Sequence, residues 1–439
     1  KGVIYKLDPT DGTILHTIQA PSDCPRGLAF DGKSLWSIDN CSDEIVQFDP
    51  SDGTTIRSFP SPAHDPQGIA WDGKYLWVCD RAMNELYMVD PQSGCVIIIT
   101  DSPGPFPLGL GFDGKNLWNG DYQLKKIYKL KVRDGELFRR TNEMVSKVTY
   151  THLATNFGPG KVKTLDIHFA VGSPRDNQEI VKETKYLPAV TDFKTDKWGQ
   201  KTAHWHVENI AAGQKNEVQA TTVIKTWDVR YFIYPEQCGS LDDIPGEIRG
   251  VLLADNDKYN LNNPVIQSAV KKIVGNEKNP YWIARKIYNY LIDNMYYEMV
   301  GGWNTAPTVL ERGNGSCSEY TFVYIALCRA AGLPARYVGS VAQRGEKSAM
   351  DDVFHRWAEV YLPGFGWIPV DPSGGDEALP RGQADSFGAL SNRFFITTQS
   401  SGGSETLQWN YNSNTFWTTE PQTYIVTEYF ADWEPGESN

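Results

Sequence analysis

The stretch Gly313-Asn314-Gly315-Ser316-Cys317-Ser318-Glu319-Tyr320 decides how the C-terminal half of this chain is read. Glycines and small polar residues give way to apolar residues at helical spacing, Phe322, Ile325, Leu327 and Ala331, and the run ends at Gly332-Leu333-Pro334. The pattern predicts a helix starting near Cys317. Glycines just ahead of it let the chain turn sharply and leave the thiol in the first turn. There the unpaired backbone N–H groups and the helix dipole favour the thiolate, which is the nucleophilic form. Cys328, eleven positions on amid Ala, Leu and Ile, reads as a small buried hydrophobe.

A thiol nucleophile needs a base, and the base needs an orienting group. The segment Asp352 to Tyr361 reads as a strand, Gly364-Phe365-Gly366 as a turn and Trp367 to Pro372 as the return strand. His355 and Asp371 fall at matching ends of that hairpin, so one face can hold an imidazole with a carboxylate beside it. Any one of Cys317, His355 and Asp371 alone would be structural; all three in this order form a specific signal. Trp357 and Glu319, close to His355 and Cys317 in sequence, are candidates to line a substrate groove. Arg329 and Arg336 are expected to anchor the helix end and the next strand, and Glu359 to pair with a basic group.

Together, Gly315-x-Cys317, Cys328-Arg329-Ala330-Ala331-Gly332-Leu333-Pro334-Ala335-Arg336-Tyr337-Val338, His355-x-Trp357-x-Glu359-Val360 and Asp371-Pro372 resemble the bacterial and archaeal transglutaminase-like superfamily. That family shares a papain-like Cys-His-Asp core with animal transglutaminases and peptide N-glycanases. The resemblance covers about Asp257 to Thr398. It implies Cys317 as nucleophile, His355 as general base and acid, and Asp371 as the group that fixes the imidazole tautomer. It also implies two oxyanion donors, the Cys317 backbone N–H and a Trp N–H upstream. Trp303, following Gly301-Gly302, is the positional candidate, or else merely lines the groove. Calcium-site carboxylate clusters are not recognisable, so no metal and no cofactor are expected.

Upstream, Asn263–Val274 and Pro280–Met295 carry apolar residues at three- and four-residue steps, with Pro264 and Pro280 suited to first helical turns. Residues 141–245 are strand-like without helical periodicity and read as an antiparallel β-sandwich. Within them His204-Trp205-His206-Val207-Glu208 puts two imidazoles and a carboxylate on one strand face. On a strand, i to i+4 spans about 13 Å, too far for one ion to hold all three.

The first third repeats. Asp31-Gly32-Lys33 recurs at Asp72-Gly73-Lys74 and Asp113-Gly114-Lys115, both steps being 41 residues, with Trp36, Trp77 and Trp118 in the same phase. The Asp-Gly pairs supply the turn of a hairpin, and four short strands per ~40 residues is the signature of a propeller blade. The series resembles NHL and related propellers. Three and a half units cannot close a ring, which leaves missing upstream blades, an open array or a ring shared by two chains; the first is the leading expectation, because the sequence starts inside a unit. A two-residue turn at Gly32-Lys33 would face Cys24 and Cys41 across the hairpin, giving either a disulfide or two free thiols. A disulfide would favour a secreted or periplasmic setting. Cys79 and Cys95 fall on different strands of their blade and should not bridge.

The 439 residues carry 42 Lys and Arg against 54 Asp and Glu, a net charge of −12 that argues against a nucleic-acid partner. No apolar run is long enough to span a bilayer as a helix, and the sequence opens on strand-like residues rather than a charged-then-apolar leader. The expected organisation is multidomain: propeller-type repeats over 1–140, β-sandwich over 141–245, an α+β transglutaminase-like core over 255–411, and a C-terminal strand with an acidic tail over 412–439. The expected function is thiol-dependent acyl transfer on peptide or protein amides through a Cys317 thioester. Hydrolysis is the first reading because water is always present. Crosslinking of Gln to amines is second, removal of amide-linked glycans third, and a non-catalytic scaffold with a partner docked on the propeller is the alternative outside enzymology.

Overall fold

The computed structural model describes residues 2–132, 135–299, 302–346 and 348–437. They divide into two compact units, one made of Lys1–Leu137, Phe232–Tyr234 and Glu377–Asp385, the other of Phe138–Tyr231, Pro235–Asp376 and Ser386–Asn439.

The first unit is a series of antiparallel meanders. Val3–Leu7 and Ile14–Gln19 form a two-stranded sheet, two four-stranded sheets follow, and Pro107–Phe112, Leu117–Asp121 and Lys126–Leu130 form a three-stranded one. Among the described residues no sheet closes on itself. The repeated residues act on each other: Asp31 accepts from the backbone N–H of Ser34 at 2.6 Å and from Trp36 Nε1 at 2.8 Å. Asp72 holds Trp77 at 2.9 Å and Asp113 holds Trp118 at 2.8 Å in the same way. Each marker Asp therefore ties its turn to the next strand. A Cβ on Gly27 would come within 2.8 Å of the Ile69 nitrogen, and one on Gly68 within 2.8 Å of the Leu110 nitrogen. The first strands of successive sheets thus pack backbone against backbone, which only glycine permits. Cys24 and Cys41 are disulfide-bonded with Cα atoms 5.6 Å apart. The hairpin register runs straight from Phe30↔Leu35 to Gly27↔Ile38 and slips by one residue at Pro25↔Asp39, and the two cysteines still meet. Cys79 and Cys95 do not bridge.

The second unit joins a sandwich to an α+β core. One sheet of the sandwich runs Gln178–Leu187, Lys215–Tyr231, Phe138–Pro159, Thr423–Pro435, Ala349–Asp351; the other runs Asp192–Thr195, Lys201–Ile210, Val162–Ala170, Ser413–Thr419. Residues 413–435 therefore add a strand to each sandwich sheet, Ala431 opposite Tyr150 and Thr415 opposite Ile167. The interior is apolar: Tyr150, Ile167, Phe169, Trp205 and Trp433 pack together, and Val341, Phe354 and Phe395 of the adjoining core join the same cluster. This continuity fixes the sandwich against the core.

The core stacks helices on a four-stranded sheet of order Gly366–Val370, His355–Leu362, Ala335–Ala342, Phe394–Ser400. Pro264–Ile273 and Pro280–Asn294 each start on a proline, with Asn263 and Asn279 as N-caps accepting from Val265 and Tyr281 backbone N–H groups. The helix Cys317–Ala330 is buried on nearly every side. At its C-terminal end the guanidinium of Arg329 binds the carbonyls of Ala335 and Ala254 at 3.0 and 2.7 Å. Glu359 sits between Arg175 and Arg336, the latter at 2.8 Å.

Candidate active site

Three local devices bring Cys317 to its position. Gly313 ends the short helix Ala306–Arg312 in the left-handed conformation, φ +76°, so the chain reverses. Gly315 has no room for a side chain, since a Cβ there would lie 2.9 Å from Glu319 Cβ. Ser316 is the N-cap, and Cys317 opens the helix with its backbone N–H among those that lack a helical partner.

His355 reaches the site from the adjacent strand. The strand starts at His355 rather than at Asp352, because Phe354 is left-handed, φ +58°. That conformation costs energy for a bulky residue and is held in place by its surroundings. Asp351 accepts from the Phe354 N–H at 3.1 Å, and Arg344 donates to the Phe354 carbonyl at 3.2 Å. His355 Nε2 lies 2.6 Å from Asp371 Oδ2. The other oxygen of Asp371 accepts from Ser373 Oγ at 2.7 Å and from the Gly374 N–H at 3.0 Å, so the carboxylate cannot swing away. With Nε2 taken, Nδ1 is the nitrogen left to meet the thiol, and Cys317 and His355 are hydrogen-bonded to each other.

The electrostatics follow from this chain of contacts. Burial by itself would push the Cys317 thiol up; the hydrogen bond and charge of His355, with a backbone N–H from Arg356, outweigh it and bring the thiol below its ordinary value. Burial by itself would lower His355; Asp371 and the thiol reverse this and raise it to about 10. Burial likewise opposes ionisation of Asp371, and His355 wins, leaving that carboxyl below its usual range. His355 therefore holds its proton over the neutral range, and its positive charge favours the thiolate form of Cys317.

The other residues singled out from sequence are placed as follows. Trp303 lines the pocket in front of Cys317 and lies over the guanidinium of Arg356 at 4.7 Å; Gly301, the first of the glycines ahead of it, lies outside the described residues. Trp357 is not in the groove: it is 1% exposed, packed behind His355 against Phe394 at 5.1 Å. Its strand parity puts it beneath the imidazole. Glu319 is not in the groove either, being fully buried. Its carboxylate accepts from the Ser316 N–H, the Asn304 N–H and Arg312, each at 3.1 Å. It clamps the segment carrying Trp303 to the start of the Cys317 helix. His204 and His206 both sit 2.8 Å from Asp166 Oδ1, and His204 also meets Asp192 at 2.8 Å. Their nitrogens are taken by carboxylates, and among the described residues no group of three or more His, Cys, Asp or Glu is arranged to hold a metal ion.

Sequence reasoning missed two features. Arg356 is fully buried in a cage of aromatic rings, Tyr411 at 4.2 Å, Tyr337 at 4.5 Å and Phe322 at 5.3 Å besides Trp303. Its place next to His355 was the available signal. The pocket of about 400 Å³ in front of Cys317 is also walled by the sandwich, through His152, Ser413, Thr415, Trp417 and Tyr429. Nothing local in the sequence marks those residues.

Residues 267–372 match the model of the Transglutaminase-like superfamily, and this stretch is a transglutaminase-like domain. An uncharacterized protein of Haemophilus influenzae is 29% identical over 46% of this chain and 60% of its own length. The uncharacterized protein YebA of Bacillus subtilis is 31% identical over 15% of this chain and 10% of its own length. The chain thus spans less than two thirds of the length of these curated relatives. Among solved structures, a provisionally named cysteine protease from Cytophaga hutchinsonii overlays with a TM-score of 0.47 at 16% identity, covering 67% of this chain and 93% of that one.

Proposed function

We propose that the chain is a thiol-dependent acyl-transfer enzyme that hydrolyses peptide or protein amides through a Cys317 thioester. The observation that carries this is the relay from Asp371 to His355 at 2.6 Å and on to a thiol held below its ordinary pKa at a helix start. In the first step Cys317 Sγ attacks the amide carbon. The carbonyl oxygen takes the negative charge, facing the Cys317 backbone N–H and, on this reading, Trp303 Nε1. His355 gives its proton to the amine as the C–N bond breaks, leaving a thioester and a neutral imidazole. Water then gives a proton to His355 and its oxygen attacks the thioester, releasing a carboxylic acid and regenerating the thiolate–imidazolium pair. An amine in place of water would complete a crosslink by the same steps.

The 41-residue repeats are assigned here to propeller-type blades offering a docking face, on the support of their Asp–Trp ties and glycine-to-backbone packing. The Cys24–Cys41 disulfide supports an extracytoplasmic setting, secreted or periplasmic. The test of the catalytic assignment is alkylation of Cys317 by iodoacetamide across pH, read by peptide mass spectrometry. Fast labelling well below pH ~8.5, the unperturbed thiol value, is expected; labelling that sets in only above it would overturn the assignment. Cys317→Ala should then remove turnover on peptide libraries while the melting temperature stays nearly unchanged.

A further inference from the structure

The pocket beside Cys317 has an unusual composition for a solvent-facing cleft. Five large apolar side chains around it are open to solvent, from Tyr297 at 44% to Met299 at 68%, with Val353, Trp417 and Tyr429 between. Such surface is rarely left in one place without a partner. Its floor is polar but neutral. His152 is 2% exposed and holds Thr415 Oγ1 at 2.9 Å and Ser413 Oγ at 3.2 Å. Burial lowers His152 to about 4, so it carries no charge at neutral pH. Beyond Cys317 itself, Asp352 is the one acidic or basic side chain besides His152 among the lining residues, and it sits at the exposed edge. Of the nearby cations, Arg356 is sealed beneath Trp303 and Tyr411, His355 is paired with Asp371 and Arg344 with Asp351.

We propose that this pocket receives a large uncharged apolar side chain, aromatic above all, of the peptide acyl donor, next to the carbonyl that Cys317 attacks. This rests on the acyl-transfer reading above and names its substrate class. Charge decides against the alternatives. A carboxylate side chain would find only cations already engaged, His355 by Asp371, Arg344 by Asp351 and Arg356 by its aromatic cage, and an ammonium would exchange water for aromatic walls and one exposed acid. Size agrees: about 400 Å³ holds one aromatic side chain with its peptide unit, at the small end of ligand pockets. The sandwich, by supplying Trp417, Tyr429 and the His152 floor, is then a specificity element rather than a spacer.

The experiment uses the whole chain and three iodoacetamides bearing N-phenethyl, N-(2-aminoethyl) and N-(2-carboxyethyl) groups. Cys317 modification is followed at pH ~6.5, where the unperturbed thiol is silent, with each rate divided by that of plain iodoacetamide on the same protein. The phenethyl reagent should exceed both charged reagents by at least ~10-fold, a discrimination that burial of one or two methylene equivalents supplies. In Trp417→Ala this normalised preference should fall to near unity; in Trp417→Phe it should persist, with thermal melting confirming that both variants fold. Charged reagents that match the phenethyl one, or a preference that survives Trp417→Ala, would overturn the proposal. Plain iodoacetamide failing to label Cys317 is a different result, and overturns the acyl-transfer reading together with what is built on it.

Discussion

One helix, Cys317–Ala330, carries two cysteines whose chemistry is opposite. Cys317 at its start is half-buried and meets His355; Cys328 in its last turns is fully buried, and desolvation pushes its thiol far above the ordinary value despite a Tyr324 hydroxyl nearby. Both are removed from bulk water to a large degree. What separates them is the partner set: an imidazolium backed by a carboxylate at one end, apolar side chains and one neutral hydroxyl at the other. Burial alone makes a thiol inert. Burial beside a compensating charge favours the thiolate.

The sharpest way to break this contrast is to replace each cysteine in turn. Cys317→Ser should abolish peptide turnover and leave melting almost unmoved. Cys328→Ser should keep turnover and lower the melting temperature, since a more polar hydroxyl in a fully buried site with only the Tyr324 hydroxyl beside it costs about 1–3 kcal/mol. Loss of activity in the second variant at a temperature where it remains folded would mean that the two ends of the helix are not functionally distinct.

Asp371→Asn tests the source of the difference. The amide keeps the shape and removes the charge that raises His355. Turnover should fall by about 10³–10⁴, the scale seen when a triad carboxylate is neutralised. The direction of the pH effect is fixed by sign. A raised imidazole holds its proton until pH climbs to about 10, so the wild-type alkaline limb lies there; in the variant that limb should move down towards ~6.5, the unperturbed value. An unmoved limb would show that another group holds the proton.

Alkylation reads the contrast without any substrate. At pH ~6.5 Cys317 should be labelled at least ~10³-fold faster than Cys328, because thiolate fraction and access act together. In guanidinium chloride, where both thiols are solvated, the ratio should collapse to near one. A ratio that persists after unfolding would trace it to local sequence rather than to His355.

How much of this was legible beforehand depends on how far apart the interacting residues lie. The 41-residue period was readable because Asp31 and Trp36, five positions apart, bind each other, and the same pair returns in each unit. Cys317, His355 and Asp371 could be singled out because a helix start and one hairpin place them. Glu319 was misread because a carboxylate at the third helical position looks solvent-facing, whereas here it binds backward to Ser316 and sideways to Asn304 and Arg312. The strand before His355 was drawn too long because nothing in Asp352-Val353-Phe354 announces a left-handed Phe354; Asp351 and Arg344 impose it. The pocket wall was hidden altogether. His152 comes to lie against Ser413 and Thr415 only through the pairing and stacking of strands from opposite ends of the second unit.

The smallest effect expected comes from Trp303, and it sharpens the comparison because Cys328 has no counterpart to it. Glu319 holds the backbone N–H and side-chain amide of Asn304, Lys258 binds the Trp303 carbonyl, and Arg356 stacks beneath the ring. An indole fixed from three sides at the mouth of the pocket is suited to present its N–H to a developing oxyanion without reorganising. Trp303→Phe retains the ring over Arg356 and deletes only the donor. Turnover should fall by about 10²-fold, the lower end for loss of one oxyanion donor. The alkylation rate of Cys317 by iodoacetamide, a displacement that forms no oxyanion, should change by less than ~3-fold, because the His355 partnership that activates the thiol is untouched. If turnover and alkylation fall together, Trp303 acts on the thiolate and not on the oxyanion. If neither falls, the ring merely lines the groove, and the Cys317 backbone N–H is left as the donor that the helix start supplies.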